Sequence, residues 1–272
     1  MNVPRFFIVF LIAALLSGLA LWRADFSINK IQIPLLCEPD PRAPLNFEWP
    51  KNFRYLNQGA QIFAFESEDG KHVLKFFNRD QLKIPKFLSR KNKIRRKEKI
   101  RIYPESYRLA FENLPEETGL LAVHQGVSEE RYPTVEVIDK ASRKFSIDLN
   151  AVPFVLQKKG KGTLLGELDA DKSKLLTFFD QFLAFHAKRI SLRIADGDRD
   201  IKRNYCWIGD QFIYIDPARF FYEEDLRNPE RMQLEWWKAT YRLRQWLAKY
   251  APEQLAAFDA KVEKYSVVEN NI

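Results

Sequence analysis

A run of acidic, basic and amide residues, Asp198-Arg199-Asp200-Ile201-Lys202-Arg203-Asn204, is followed by an apolar stretch that ends at Ile215-Asp216. It constrains the chain more than any other feature. A carboxylate, an amide a few residues on, and a second carboxylate after a short hairpin form one constellation. A carboxylate that closes an apolar strand is desolvated in part, and such positions usually have a ligand or a partner. Taken by itself, the cluster Asp196, Asp198 and Asp200 also reads as a solvated turn.

The 272 residues are 46% hydrophobic and 14% aromatic, enough for one sizeable core or for two small lobes sharing a cleft. Ten glycines and abundant Phe and Trp exclude a disordered or low-complexity chain. The formal charge of +8 is compatible with nucleic acid, an anionic membrane surface or phosphorylated ligands. Cys37 and Cys206 read as unpaired thiols, and their number excludes a disulfide framework or a Cys-rich zinc site. His72, His124 and His186 are scattered without metal-ligand spacing, so all three read as structural.

Phe6 to Trp22 is an uncharged apolar stretch preceded by Arg5. Its length suits a transmembrane helix or a signal segment, and Gly18 and Ala20 offer small residues to a peptidase. Leu21-Trp22-Arg23 favours an anchor that stays. Positive residues lie on both sides, so charge does not set the orientation. Residues 1–23 are therefore read as anchor or signal segment, 24–49 as a Pro-rich linker, 50–158 as a first lobe and 159–272 as a second.

In the body, Phe53 to Glu66 reads as strand, turn at Gly59 and strand. Glu68-Asp69-Gly70 is a hairpin turn, and His72 to Phe77, with Lys75 at its centre, is a third strand. The basic run 83–101 reads as a solvated, partly helical insertion or as a patch for anionic lipid. No aromatic residues are interleaved through its dense part from Arg90 to Arg101, so nucleic acid is not an expected partner. Ser106 to Leu114 has helical spacing. Pro133 to Asp139 and Lys144 to Gln157 read as two more strands, the second running into Lys158-Lys159-Gly160-Lys161-Gly162. Lys172 to Arg189, Pro229 to Tyr250 and Pro252 to about Tyr265 are predicted helices.

From about Phe53 to Phe220 this order resembles the protein-kinase-like fold. The matching elements are a Gly-turn hairpin, a strand with Lys, a helix with Glu, two strands, a hinge, a helix, a catalytic loop and a strand ending in Asp. The resemblance implies an α+β, two-lobed fold with a five-stranded antiparallel N-lobe and a reduced, mainly helical C-lobe. It implies ATP and Mg²⁺ as cofactors. Lys75 would bind the phosphates beside Gly59 of the Gly59-Ala60-Gln61 turn, and Glu112, ahead of Glu105, would pair with Lys75. Asp200 or Asp198 would be the catalytic carboxylate, with Asn204 and Asp216 on the metal. Backbone groups of the hinge would read the adenine ring.

Several motifs depart from the family. Asp200 to Asn204 is one residue shorter than its spacing, and Asp198 to Asn204 one longer. Asp216-Pro217-Ala218 stands where the family has Asp-Phe-Gly, and Ala251-Pro252-Glu253 is a false match to its activation-segment end. The shortened C-lobe looks more like small-molecule, sugar or lipopolysaccharide kinases than like peptide-docking ones. The function implied is transfer of the ATP γ-phosphoryl to a hydroxyl of a sugar, lipid or other small molecule, by a membrane-anchored body in the cytoplasm. The alternatives are a pseudokinase scaffold and an exported, membrane-tethered binder of polyanions.

Overall fold

A computed structural model describes residues 26–33, 47–59, 61–82, 89–163, 165 and 174–268. The apolar segment Phe6 to Trp22 and most of the Pro-rich linker lie outside them. No helix among the described residues is long and apolar enough to cross a membrane.

The fold is α+β, built on a large mixed sheet. Its strands are β1 (Asn52–Gln58), β2 (Ile62–Ser67), β3 (His72–Phe77), β4 (Leu120–His124), β5 (Thr134–Ile138), β6 (Lys144–Asp148) and β7 (Phe154–Lys158). They run in the order β4-β7-β3-β2-β1-β5-β6. β2 alternates, with Phe63 and Phe65 buried, because one of its faces is covered. β3 and β7 bury consecutive residues, because they lie between two layers.

Seven strands replace the five antiparallel ones expected, and β1 pairs with β5 in parallel. The expectation failed at two places. Leu120–Val123 is apolar throughout and lacks alternation, and it follows Gly119, whose φ of 63° ends a helical turn over Pro115–Thr118. Lys144 to Gln157 is two strands, not one. The Asp148 carboxylate accepts the Asn150 N–H at 2.9 Å and starts a single helical turn at Leu149–Ala151. The chain then crosses the sheet, so β6 ends one edge while β7 inserts between β3 and β4.

One long helix, α1 (Arg90–Asn113), crosses behind the sheet, with Ser89 accepting the Asn92 N–H at its start. Residues 90–101 of the basic run form its first turns, where Arg90 and Lys91 are exposed; residues 83–88 lie outside the described chain. Tyr103, Tyr107, Ala110 and Leu114 turn inward at helical spacing.

The second lobe starts with α2 (Leu175–Ser191), which buries Leu175, Phe178, Phe179, Phe182 and Phe185. β8 (Ile194–Asp196) pairs with β11 (Phe220–Tyr222), and β9 (Tyr205–Ile208) forms a hairpin with β10 (Gln211–Tyr214). α3 (Pro229–Tyr250) begins on an Asn228 cap with Pro at its first position, and α4 (Leu255–Val268) closes the lobe. One apolar cluster covers the outer sheet face, around Phe26, Phe53, Phe63 and Phe76. The other runs from Phe77 and Val155 through α1 into α2, α3 and the β9–β10 hairpin, and ties the sheet to the second lobe.

Candidate functional site

Lys75 sits mid-strand on β3, opposite Val155 of β7. The residue keeps some exposed area, but its ammonium is enclosed. Burial pushes its pKa down, and the nearby Asp216 charge opposes that shift. The ammonium donates to the Ile215 carbonyl at 2.6 Å and lies 5.6 Å from the centre of the Tyr107 ring. Tyr107 in turn donates its hydroxyl to Asp216 Oδ1 at 3.1 Å. Burial, and then Asp216, push the Tyr107 hydroxyl well above its usual pKa, so it stays a donor. A strand, a helix and the end of the β10 hairpin thus meet at one enclosed point. The hairpin fixes its own end there, because the Ile215 N–H bonds the Asn204 carbonyl at 2.8 Å.

The loop from Asp196 to Asn204 is anchored from below. Glu235 of α3 is buried, accepts Arg189 Nη1 at 2.9 Å and accepts the Asp196 N–H at 3.1 Å. Asp196 is buried too, and accepts the Asp198 N–H at 2.7 Å. The Tyr214 hydroxyl lies 2.8 Å from Asp196 Oδ2 and 2.9 Å from the Asp198 carbonyl. A hydroxyl has one proton, and a carbonyl has none to give. Tyr214 donates that proton to Asp196 Oδ2, with the Asp198 carbonyl as a second acceptor within reach. Burial raises the Asp196 pKa to about 7, with Arg189 opposing and Glu235 adding to the rise. Asn204 completes the arrangement, donating Nδ2 to Tyr214 at 3.3 Å and to the Asp198 carbonyl at 3.4 Å.

Asp198 and Asp200 differ in their surroundings. Asp200 receives Arg203 Nε at 2.7 Å and Nη2 at 2.6 Å, and the Lys202 N–H at 3.0 Å. Burial alone would raise its pKa, but the Arg203 and Lys202 contacts hold the carboxyl below its usual range. Asp198 Oδ1 accepts the Asp200 N–H at 3.2 Å, and Asp198 has no ion pair among the described residues.

The structure brings Lys75, Asp216, Asn204 and Asp198 into one connected region. It does not bring Glu112 to Lys75. Glu112 is exposed, on a cleft shared with Ile102, Glu105 and Phe220, and α1 offers Tyr107 to the lysine instead. Gly59 closes the β1–β2 turn with its N–H on the Ile62 carbonyl at 3.0 Å. A Cβ there would meet nothing within 4 Å, so nothing described requires glycine. Tyr107 lay inside a recognisable helix, where an aromatic reads as packing. Glu235 had a signal, being a carboxylate beside Trp236 on the inward face of α3.

Gly160 has the tightest backbone contact of the described hinge. A Cβ there would fall 2.0 Å from Cys206 Sγ and 3.0 Å from the Trp207 carbonyl. The hinge therefore lies directly on β9, and burial raises the Cys206 thiol to about 11. The Lys158, Lys159 and Lys161 N–H groups bond the carbonyls of Gly119, Lys71 and Trp207, each at 2.7 Å. The Gly160 N–H faces Cys206. These four of the hinge N–H groups are taken up within the chain in this conformation.

No three His, Cys, Asp or Glu side chains among the described residues cluster closely enough to hold a metal. A Mg²⁺ ion held mainly by phosphate oxygens and water needs fewer protein ligands. Tyr107 occupies Asp216 Oδ1, and Asn204 uses Nδ2 in its hydrogen bonds. Asp216 Oδ2 and Asn204 Oδ1 remain, two oxygens of the type a hard cation takes.

No protein-family model matches the chain, and no curated protein matches it. Solved structures do. WbdD with the kinase inhibitor LY294002 is similar at 15% identity and a TM-score of 0.41, over 78% of this chain and 45% of that one. A high-resolution structure of WbdD gives 15% identity and 0.40, over 77% and 45%. A structure of the bifunctional kinase-methyltransferase WbdD gives 13% and 0.39, over 88% and 49%. The chain spans about half the length of these structures.

Proposed function

We propose that this chain is a kinase-like phosphotransferase that moves the γ-phosphoryl of ATP to a hydroxyl of a sugar, lipid or other small molecule. The observation that carries this reading is the meeting of Lys75, Tyr107 and Asp216, from three separate elements, at one enclosed point next to the Asp198–Asn204 loop. In this reading Lys75 neutralises phosphate charge, and Tyr107 replaces the expected glutamate by fixing Asp216. Asp216 and Asn204 would hold Mg²⁺, which would screen the phosphates when bound. Asp198 orients the acceptor hydroxyl and takes its proton, while Asp200 is a structural partner of Arg203. Chemistry of this kind depends on positioning and charge.

Asp216 and the start of α3 at Pro229 are separated by a single short strand, β11, and one helical turn. That leaves little segment on which a peptide could dock, and favours a small acceptor. We further propose that Phe6 to Trp22 anchors the protein, that basic run 83–101 meets anionic lipid, and that the body faces the cytoplasm, where ATP is available. An exported polyanion binder is the reading that opposite topology would support.

The occupied hinge donors favour a second reading, a pseudokinase that keeps the fold as a binding module. Transfer of radiolabelled phosphate from ATP to extracted cell-envelope fractions separates the two. Active wild type should lose about a hundredfold or more with Asp198→Ala and less than about tenfold with Asp200→Ala. Absence of transfer by folded, nucleotide-bound wild type would support the pseudokinase. A larger loss with Asp200→Ala would reassign the base.

A further inference from the structure

The turn that carries Asp198 has a second side. Asp200, whose N–H bonds Asp198 Oδ1, lines a cavity of about 390 Å³ between the loop and the last two turns of α3. Lys202 enters from the loop, and Arg242, Trp246, Lys249 and Tyr250 from α3. The spacing of these four puts them on one helix face. Trp246 and Tyr250 stand 5.6 Å apart at 38°, and Tyr250 is 45% exposed, so an aromatic surface faces the opening. Lys249 lies 4.7 Å from the Tyr250 ring centre.

Three cations and one carboxylate line this space. The carboxylate, Asp200, is already matched by Arg203. Among the described residues, the only ion pair made by Lys202, Arg242 or Lys249 is the 4.0 Å contact of Arg242 with Asp200. The cavity therefore holds positive charge that no side chain described there balances, beside an aromatic surface. Its volume falls in the lower part of the range of small-molecule sites.

We propose that this cavity is the acceptor subsite and that it takes a monosaccharide unit carrying an anionic group, phosphate or carboxylate. The subsite role rests on the phosphotransferase reading; the ligand chemistry follows from the cavity alone. Arg242 and Lys249 hold the anionic group, the Trp246–Tyr250 surface packs against the sugar's C–H face, and a ring hydroxyl is turned toward Asp198.

Calorimetry of the full chain in detergent at low salt, with glucose-6-phosphate, glucuronate, neutral glucose and inorganic phosphate, tests this. At least one charged sugar should bind about tenfold or more tighter than both glucose and inorganic phosphate. The better of the two charged sugars identifies the anionic group. Arg242→Gln with Lys249→Gln, both at exposed positions, should cost about tenfold or more, while Arg54→Gln, an exposed cation outside the cavity, leaves affinity within about twofold. Equal binding of charged and neutral sugars, equal binding of inorganic phosphate, or an unaffected double variant would overturn the proposal. Thermal shift with Mg·ATP on the same samples keeps the two claims apart. Sugar binding through Arg242 and Lys249 without a nucleotide shift leaves the ligand class standing and removes the phosphotransferase. A nucleotide shift without charged-sugar binding does the reverse.

Discussion

Asp196 is a buried carboxyl whose proton is favoured by burial and opposed by the donors around it. It shares its surroundings with Arg189 and His186 from α2, Glu235 from α3, Tyr205 and Tyr214 from the β9–β10 hairpin, and Asp198 from its own loop. Arg189 only donates, so His186 Nδ1 accepts from it and Nε2–H faces Tyr205; burial holds the imidazole neutral. The Arg189 charge is matched by Glu235, and Asp196 is the group left to keep its proton. Its folded pKa, about 7, lies above the ordinary value of 3.8. Its contribution to stability is therefore full below that ordinary value and is lost as pH rises through the folded one. Asp196→Asn supplies the same donor and acceptor without a charge. The variant's advantage over wild type should grow steadily from pH 5 to pH 8, by on the order of a few kcal/mol in denaturant melts. Parallel curves across that range would show that Asp196 is ionised throughout.

At the scale of elements, the hinge is the strictest part of the site. Gly160 has no room for a side chain against Cys206, and replacing it moves either β9 or the crossing strand. Gly160→Ala should destabilise by about 1–3 kcal/mol, and Cys206→Ala in the same chain should restore only part of that, since Cys206 Cβ lies 2.9 Å and the Trp207 carbonyl 3.0 Å from the new methyl. Full stability of the single variant, read by chemical melts, would mean that the hinge lifts freely from β9. The hinge also marks how far sequence could be read. The strands around Phe63 and Lys75, the amphipathic α2 and the capped α3 were legible, because periodicity and turn residues specify them locally. β4 was not, because an edge strand buried along nearly its whole length has no alternation. The β6–β7 break was not, because it depends on an Asp148–Asn150 contact. Lys75, Asn204 and Asp216 could be singled out through the resemblance in the order of elements. Tyr107 in place of Glu112 could not, because which helix residue meets a lysine is decided by how α1 lies on the sheet. The contrast between Asp198 and Asp200 likewise required Arg203 to be seen in place.

At the scale of the molecule, two packed bodies meet through a few contacts with defined chemistry. Lys75 reaches from the sheet to the Ile215 carbonyl, Tyr107 from α1 to Asp216, and the Phe77–Val155 side of the sheet joins the apolar cluster of α2 and α3. The site lies where those connections cross, so a ligand bound there engages both bodies and should stabilise them together. The central claim is that this crossing is a metal–nucleotide site. Thermal unfolding of wild type and Asp216→Ala, each with and without Mg·ATP, tests it most directly. The account predicts a rise in melting temperature for wild type with Mg·ATP, absent with ATP and chelator and absent in Asp216→Ala. A folded wild type that shows no shift, or an equal shift in Asp216→Ala, would contradict it.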